Sequence, residues 1–209
     1  ISPDFNATAM HASKWLNPKP GSDIALAMAM IETIISDKSY DEDYMREQSD
    51  LPFLVRKDNL KYLRETDLPQ ASADAKDNRF YFWDEKNDQL TEAPGTGTPP
   101  MPPPGTPEHL IPPMPSIALQ GLKPAIEGSW TIETKDGPVE VTTVFELVKL
   151  RSSEHTPEYA EEITGISAKV IRDVARKFAS SKPGMIYAGY RASKYLHGDL
   201  LQRALFLLL

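Results

Sequence analysis

The stretch "KPGSDIALAMAMIETII", Lys19 to Ile35, decides how the chain is read. A Pro-Gly-Ser-Asp turn runs straight into a segment that is apolar almost all the way round a helical wheel, and such a helix has to be buried. Ser22 or Asp23 is placed to N-cap it, and it ends near Asp37. A glycine, a hydroxyl and a carboxylate thus stand at the mouth of a buried helix. Two readings stay open from these residues alone: an ordinary helix cap, or a polar ligand held at a helix N-terminus.

The composition narrows the function classes. The chain has 209 residues, of which 40% are hydrophobic, enough to bury a core. Its formal charge of -7 argues against a nucleic-acid partner, which calls for a basic face. No apolar run approaches the roughly 18 residues that a membrane span needs, and no signal-peptide pattern opens the chain. The absence of cysteine excludes disulfides, thiolate zinc sites and iron-sulfur ligation by these residues. His11, His109 and His155 lack metal-ligand spacing, and His197 reads first as a structural histidine. Trp15, Trp83 and Trp130 read as packing residues. "ISPD" lacks an initiator methionine and "LQRALFLLL" stops inside a helical pattern, so the expectation is an excerpt of a longer polypeptide.

Working outward, Ala7–Lys14 has a short helical pattern, and Asp41, Glu42 and Asp43 open a second helix where carboxylates suit the helix dipole. "RFYFWDEKNDQL" and "WTIETKDGPVEVTT" alternate around Lys86-Asn87-Asp88 and Asp136-Gly137, which predicts two peripheral β-hairpins. "PGTGTPPMPPPGTPEHLIPPMP", Pro94–Pro115, lies within an expected proline-rich insertion over residues 91–128. It is an extended surface excursion that either packs along the parent surface or serves as a polyproline ligand. Further on, Thr156 caps a helix with Pro157 at its first position and Gly165 at its end. Ser167 caps the next, with Ile166 and Ile171 as a hydrophobic staple and Val170, Ile171, Val174 and Phe178 on its buried face. "GMIYAG" is expected as a short buried strand, "YRASKYLHG" as a loop, and a last helix starts at Asp199. The order of helix, strand, loop and helix predicts an α/β fold: a doubly wound, mostly parallel sheet with helices on both faces. In that fold "ISPDFN", "PGSD" and "AGYRA" all fall at strand ends against helix N-termini, where a nucleotide-like ligand binds.

Five segments in this order, "SPDFNATAMHASKWLNPKPGSDIALAMAM", "YDEDYMREQSDLPFLVR", "KYLRETDL", "TPEYAEEITGISAKVIRDVARKFA" and "GYRASKYLHGDLLQRALFLLL", resemble the catalytic subunits of the dimethyl sulfoxide reductase family of molybdopterin oxidoreductases. The likeness is to the three-subunit branch, which includes nitrate, perchlorate and selenate reductases, nitrite oxidoreductase, and dimethyl sulfide and ethylbenzene dehydrogenases. It covers all of the chain except the proline-rich excursion. The resemblance implies that residues 1–209 form part of the α/β domain holding one of two molybdopterin guanine dinucleotides of a bis-molybdopterin cofactor with molybdenum. It places Ser2, Pro3, Asp4, Phe5 and Asn6 around the guanosine, Gly21, Ser22 and Asp23 at the guanine, and Ala188, Gly189 and Ala192 on the pterin side. Arg191 and Lys194 are either phosphate partners or solvated loop charges.

The resemblance further implies an oxygen-atom transfer or hydroxylation on a small substrate, with electrons leaving through a four-iron iron-sulfur cluster elsewhere in the parent. An iron-sulfur beta subunit and a heme gamma subunit are the implied partners, and a periplasmic or membrane-associated location in a bacterium or archaeon is the implied setting. In that family the aspartate ligand of molybdenum and the cluster-binding motif lie N-terminal to this segment. No catalytic or metal-ligating residue is therefore nominated here, and the segment alone is expected to be inactive. An alternative of another class is a cofactor-free structural or interaction module that uses the proline-rich arm. A different dinucleotide finds no support, because no GxGxxG loop is present.

Overall fold

The computed structural model of the chain describes every residue except 74, 76, 97–101, 112–116, 182, 190–193 and 195. The chain divides into two compact units, residues Ile1–Tyr40 with Lys149–Leu209, and residues Asp41–Val148. The first is helical around one central helix. The second is built on antiparallel strands.

In the first unit α1 (Asp23–Ser36) is touched by α4 (Pro157–Thr164), α5 (Ala168–Ala179) and α6 (Gly198–Leu208). This explains its sequence: a helix with neighbours on several sides has no face for polar residues. Leu26, Met30 and Ile31 fill the core with Ile171 and Leu208, and the small Ala29, Ala160 and Ala175 let the helices approach closely. Each large apolar side chain buried here contributes about 1.5–3 kcal/mol. The one buried hydroxyl of α1, on Thr33, is satisfied by donating to the Ala29 carbonyl at 2.9 Å. The Arg176 guanidinium pairs with Asp37 at 2.7 Å, fastening α5 to the C-terminal end of α1.

The caps follow the sequence with one exchange of partners. Thr156 Oγ1 accepts from the Tyr159 N–H at 3.2 Å, Pro157 opens α4, and Gly165 ends it at φ +77°. Only glycine adopts that left-handed conformation without strain. Ser167 occupies the N-cap of α5, yet its side chain makes no capping bond. Glu161, one helix earlier, accepts from the Ala168 N–H at 2.7 Å instead. The expected helix over Ala7–Lys14 is a single 3₁₀ turn, Ala9–His11.

One expected element is absent. Residues 184–189, expected as a buried strand, form no strand, and Met185 and Tyr187 are 83% and 92% exposed. Ile186 alone packs against the helical core. A strand exists only through its ladder, and no described strand lies beside this segment to supply one. All ladders among the described residues are antiparallel. The observed class is therefore mixed α/β, with helices and small antiparallel sheets.

In the second unit β1 (Leu54–Arg56), β5 (Gly137–Thr143) and β4 (Ser129–Thr134) form a three-stranded sheet, and β2 (Tyr81–Asp84) pairs with β3 (Gln89–Glu92). The turns are those predicted, with Trp83 opposite Leu90 and Thr134 opposite Gly137. The hairpins are more than appendages: Tyr81, Ile132 and Val141 form a core with Leu54, Leu63 and Leu68. Trp83 and Trp130 stack over it with ring centroids 5.2 Å apart. Asp84 is fully buried at the end of β2, accepting from the Lys123 N–H at 2.9 Å, the Lys86 N–H at 3.2 Å and the Asn87 amide. Burial pushes its carboxyl up, and these donors outweigh burial, so the net shift is downward. In α2 (Glu42–Gln48) Asp41 caps through a bond from the Tyr44 N–H at 3.1 Å. Helix α3 (Val144–Ser152) was not anticipated; Thr143 starts it, accepting from the Glu146 N–H at 3.2 Å.

Candidate functional site

The turn before α1 is built by its own sequence. The Ser22 N–H donates to the Lys19 carbonyl at 3.0 Å, Pro20 holds the second position, and Gly21 takes φ +83° at the third. These are the requirements of a type II turn. The Ser22 hydroxyl also donates to the Lys19 carbonyl, at 2.6 Å, so Ser22 sits at the N-cap without a side-chain capping bond. The loop is anchored to α4 from outside: the Lys19 N–H donates to the Thr164 carbonyl at 3.0 Å and its Nζ to the Glu162 carbonyl at 3.3 Å.

At the mouth of α1 the polar groups are unspent. Asp23 is half-buried in the first turn, and among the described residues nothing pairs with or hydrogen-bonds to its carboxylate. The Ala25 and Leu26 N–H groups bond to the Ser22 carbonyl, whereas the Asp23 and Ile24 N–H groups have no acceptor among the described residues. A side chain added at Gly21 would meet nothing within 4 Å. The space beside Gly21 is thus open, and the first turn of α1 carries two N–H donors and a carboxylate without a partner among the described residues, an unsatisfied helix end of the kind that ligands complete.

The "SPDFN" loop closes on itself and on the Trp15–Leu16 segment ahead of the turn. Ser2 Oγ donates to the Asp4 carbonyl at 3.0 Å, Asn6 Nδ2 to Ser2 Oγ at 3.3 Å, and Asn6 Oδ1 accepts from the Ala9 N–H at 3.0 Å. The Ser2 N–H donates to the Leu16 carbonyl at 3.0 Å. Trp15 returns the tie, its Nε1–H donating to the Ser2 carbonyl at 2.9 Å while Phe5 sets its edge on the Trp15 ring at 5.2 Å. Leu16 is in the same core as α1. Pro3, Asp4 and Phe5 stay exposed, and no described residue pairs with the Asp4 carboxylate.

The structure ties the first of the three expected loops, residues 2–6, to Trp15 and Leu16, just ahead of the turn at residues 19–22 that leads into the second. The third is shown less fully. Ala188 and Gly189 are exposed beyond Ile186, and Ala192, with Tyr190 and Arg191, lies outside the described residues. Trp15 and Lys19 were missed as site-shaping residues. Each acts on backbone carbonyls, which leave no signature in residue type; the one sequence signal is their place between the two loops. Among the described residues no cluster of His, Cys, Asp or Glu fits a metal ion, and no helix is long and apolar enough to cross a membrane.

Comparison with curated proteins gives the setting. The chain is 39% identical along its whole length to the perchlorate reductase subunit alpha of Dechloromonas aromatica, 35% to the dimethylsulfide dehydrogenase subunit alpha of Rhodovulum sulfidophilum, and 34% over 98% of its length to the respiratory nitrate reductase subunit alpha of Haloferax mediterranei. It spans 23%, 21% and 20% of these relatives respectively, about a fifth of their length. No protein-family model matches it. With identity of this order running through both units, the chain belongs to the dimethyl sulfoxide reductase family of molybdopterin oxidoreductases, corresponding to about a fifth of a catalytic alpha subunit.

Proposed function

We propose that this chain is the part of a molybdenum oxidoreductase catalytic subunit that binds one molybdopterin guanine dinucleotide, with the guanine at the mouth of α1. The observation that carries the reading is the unpartnered Asp23 carboxylate beside open space at a helix N-terminus. The donor set fits the group. A carboxylate accepts two hydrogen bonds side by side, which matches the N1–H and exocyclic amine of guanine, and the free N–H groups of Asp23 and Ile24 suit a carbonyl oxygen. Gly21 and Ser22 shape the turn over the base. Ser2, Pro3, Asp4, Phe5 and Asn6 border the ribose, with the exposed Phe5 ring, held by Trp15, as an apolar wall. Ala188, Gly189 and Ala192 approach the pterin side. In the complete subunit, these loops take their places at the strand ends of a doubly wound parallel sheet, with residues 1–209 as part of that domain and residues 91–128 as an insertion in it.

The parent's chemistry follows from the family. When bound, the cofactor supplies molybdenum redox chemistry, which moves an oxygen atom to or from a small substrate or hydroxylates it. The residues here bind and orient its nucleotide. A four-iron cluster in the parent, an iron-sulfur beta subunit and a heme gamma subunit carry the electrons, in or at the membrane or in the periplasm. Relatives are named both as reductases and as a dehydrogenase, so the family frame by itself does not set substrate or direction.

The test is Asp23→Ala in the full-length subunit, with molybdenum counted by elemental mass spectrometry and guanine nucleotide counted after acid release. Both are expected to fall together, by about tenfold for the loss of a bidentate charged contact. Unchanged occupancy of both overturns the assignment.

A further inference from the structure

The second unit holds a cleft of about 490 Å³ that the nucleotide reading does not use, lined by Arg56, Lys61, Tyr62, Arg64, Asp67 and Asp77 among others. Its charges are unequally spent. Arg56 is consumed by Asp58 at 2.7 Å and Asp67 at 2.6 Å. Asp67 is used up in turn, its second oxygen accepting from the Arg64 N–H at 2.9 Å. Asp77 accepts from the Thr66 hydroxyl at 2.7 Å. Two cations remain: among the described residues neither the Arg64 guanidinium nor the Lys61 ammonium has an ion pair or a hydrogen bond. Asp77 keeps its charge, since a hydroxyl donor does not neutralise it, so the two unpaired cations leave the recess with a small excess of positive charge.

The Arg64 guanidinium is also fixed in orientation. It lies over the Phe80 ring at 3.8 Å from the centroid and 5.3 Å from that of Tyr62. Those rings are themselves held, Phe80 stacked on Phe53 at 5.0 Å and the Tyr62 hydroxyl donating to Asp50 at 2.7 Å. A guanidinium stacked on an aromatic face keeps its N–H edge, the edge that receives a planar oxyanion in two parallel bonds, and it has lost its rotational freedom before any ligand arrives.

We propose that this cleft is an oxyanion site: Arg64 forks onto a carboxylate or phosphate group, and Lys61 neutralises it from the side. The bound group comes either from a free polyvalent anion or from an acidic side chain of polypeptide outside residues 1–209, and the two sources share the chemistry.

The test uses the full-length subunit and reads Lys61. Inorganic phosphate is expected to slow modification of Lys61 by an amine-reactive ester, saturably and by about fivefold, as one charge-assisted contact warrants; Lys57, already paired with Glu140, should not respond. That result identifies a free anion. A carbodiimide cross-link from Lys61 to a carboxylate outside residues 1–209 identifies an acidic polypeptide. Either effect must disappear in Arg64→Gln. Arg64→Lys keeps the charge and loses the fork, so it should retain only part of the effect, and it decides the matter if the glutamine variant does not fold. Absence of both effects, or either one persisting undiminished in the Arg64 variants, overturns the proposal.

Discussion

The indole Nε1–H of Trp15 donates to the carbonyl oxygen of Ser2 at 2.9 Å, and the neighbouring Leu16 carbonyl accepts from the Ser2 N–H at 3.0 Å. Two hydrogen bonds in opposite senses therefore lock the loop of residues 2–6 to the strand of chain that leads into the Gly21 turn. Trp15→Phe keeps the ring that Phe5 leans on and removes one bond, worth about 1 kcal/mol. The expected result is roughly fivefold weaker retention of guanine nucleotide during dialysis of the full-length subunit, with faster amide exchange confined to residues 1–6. Retention equal to the wild type would show that the loop holds its shape without the tie.

Gly21 separates conformational need from steric need. Its φ of +83° is costly for any residue with a side chain, yet a Cβ there would meet nothing within 4 Å. Gly21→Ala should therefore cost about 1 kcal/mol through the backbone alone. The expected readout is about fivefold faster exchange at the Ser22 amide, whose bond to Lys19 closes the turn, with α1 otherwise unaltered. Gly189 also has open space around it and carries no positive φ, so Gly189→Ala is the matched control and should change nothing in this turn.

How far the sequence could be read depended on where each element finds its partners. The hairpins were legible because alternation and turn chemistry are local: Trp83 and Leu90 face each other across a turn of four residues. The caps at Thr156 and Gly165 were legible for the same reason. Helix α3 was missed although Thr143 and Glu146 have the S/T-x-x-E spacing of a helix start, because the following "VFELVKLRS" has a mixed rather than a clean apolar stripe. Residues 184–189 misled in the opposite direction. A short apolar run does not say whether a ladder is available, and here only Ile186 is packed while Met185 and Tyr187 stand in solvent. For the candidate site, the place of Asp23 in the first turn of a buried helix was legible. The ties made by Trp15 and Lys19 were not, since their acceptors are carbonyls that every residue possesses.

The core around α1 gives a sharper energetic expectation. Ile171 is fully buried in α5 among Leu26, Met30 and Ile31. Ile171→Ala should destabilise the helical unit by about 2–4 kcal/mol, the transfer term plus an unfilled cavity. Because Lys19 hangs the Gly21 turn on α4 and α4 packs on α5, the damage reaches the site through packing. Limited proteolysis should cut within residues 15–22 in this variant and not in Trp15→Phe, which leaves the core intact.

The acid sensitivity of the second unit should trace to Asp84. Burial opposes its charge, but the Lys123 and Lys86 N–H groups and the Asn87 amide hold the carboxyl below its usual range. A carboxyl depressed in the folded state stabilises fully above its unfolded value of about 4, and that contribution fades as the pH falls through the lower folded value. Amide exchange at Lys86 and Lys123, corrected for the intrinsic rate, should therefore be independent of this group near neutrality and accelerate below about pH 4. Asp84→Asn cannot titrate, and it replaces a charged acceptor by a neutral one, weakening the bonds from the Lys86 and Lys123 N–H groups by about 1–2 kcal/mol. The variant should show faster exchange at neutral pH and no further acceleration in acid from this source. An unchanged acid response in Asp84→Asn would assign the pH dependence to another carboxylate of the unit.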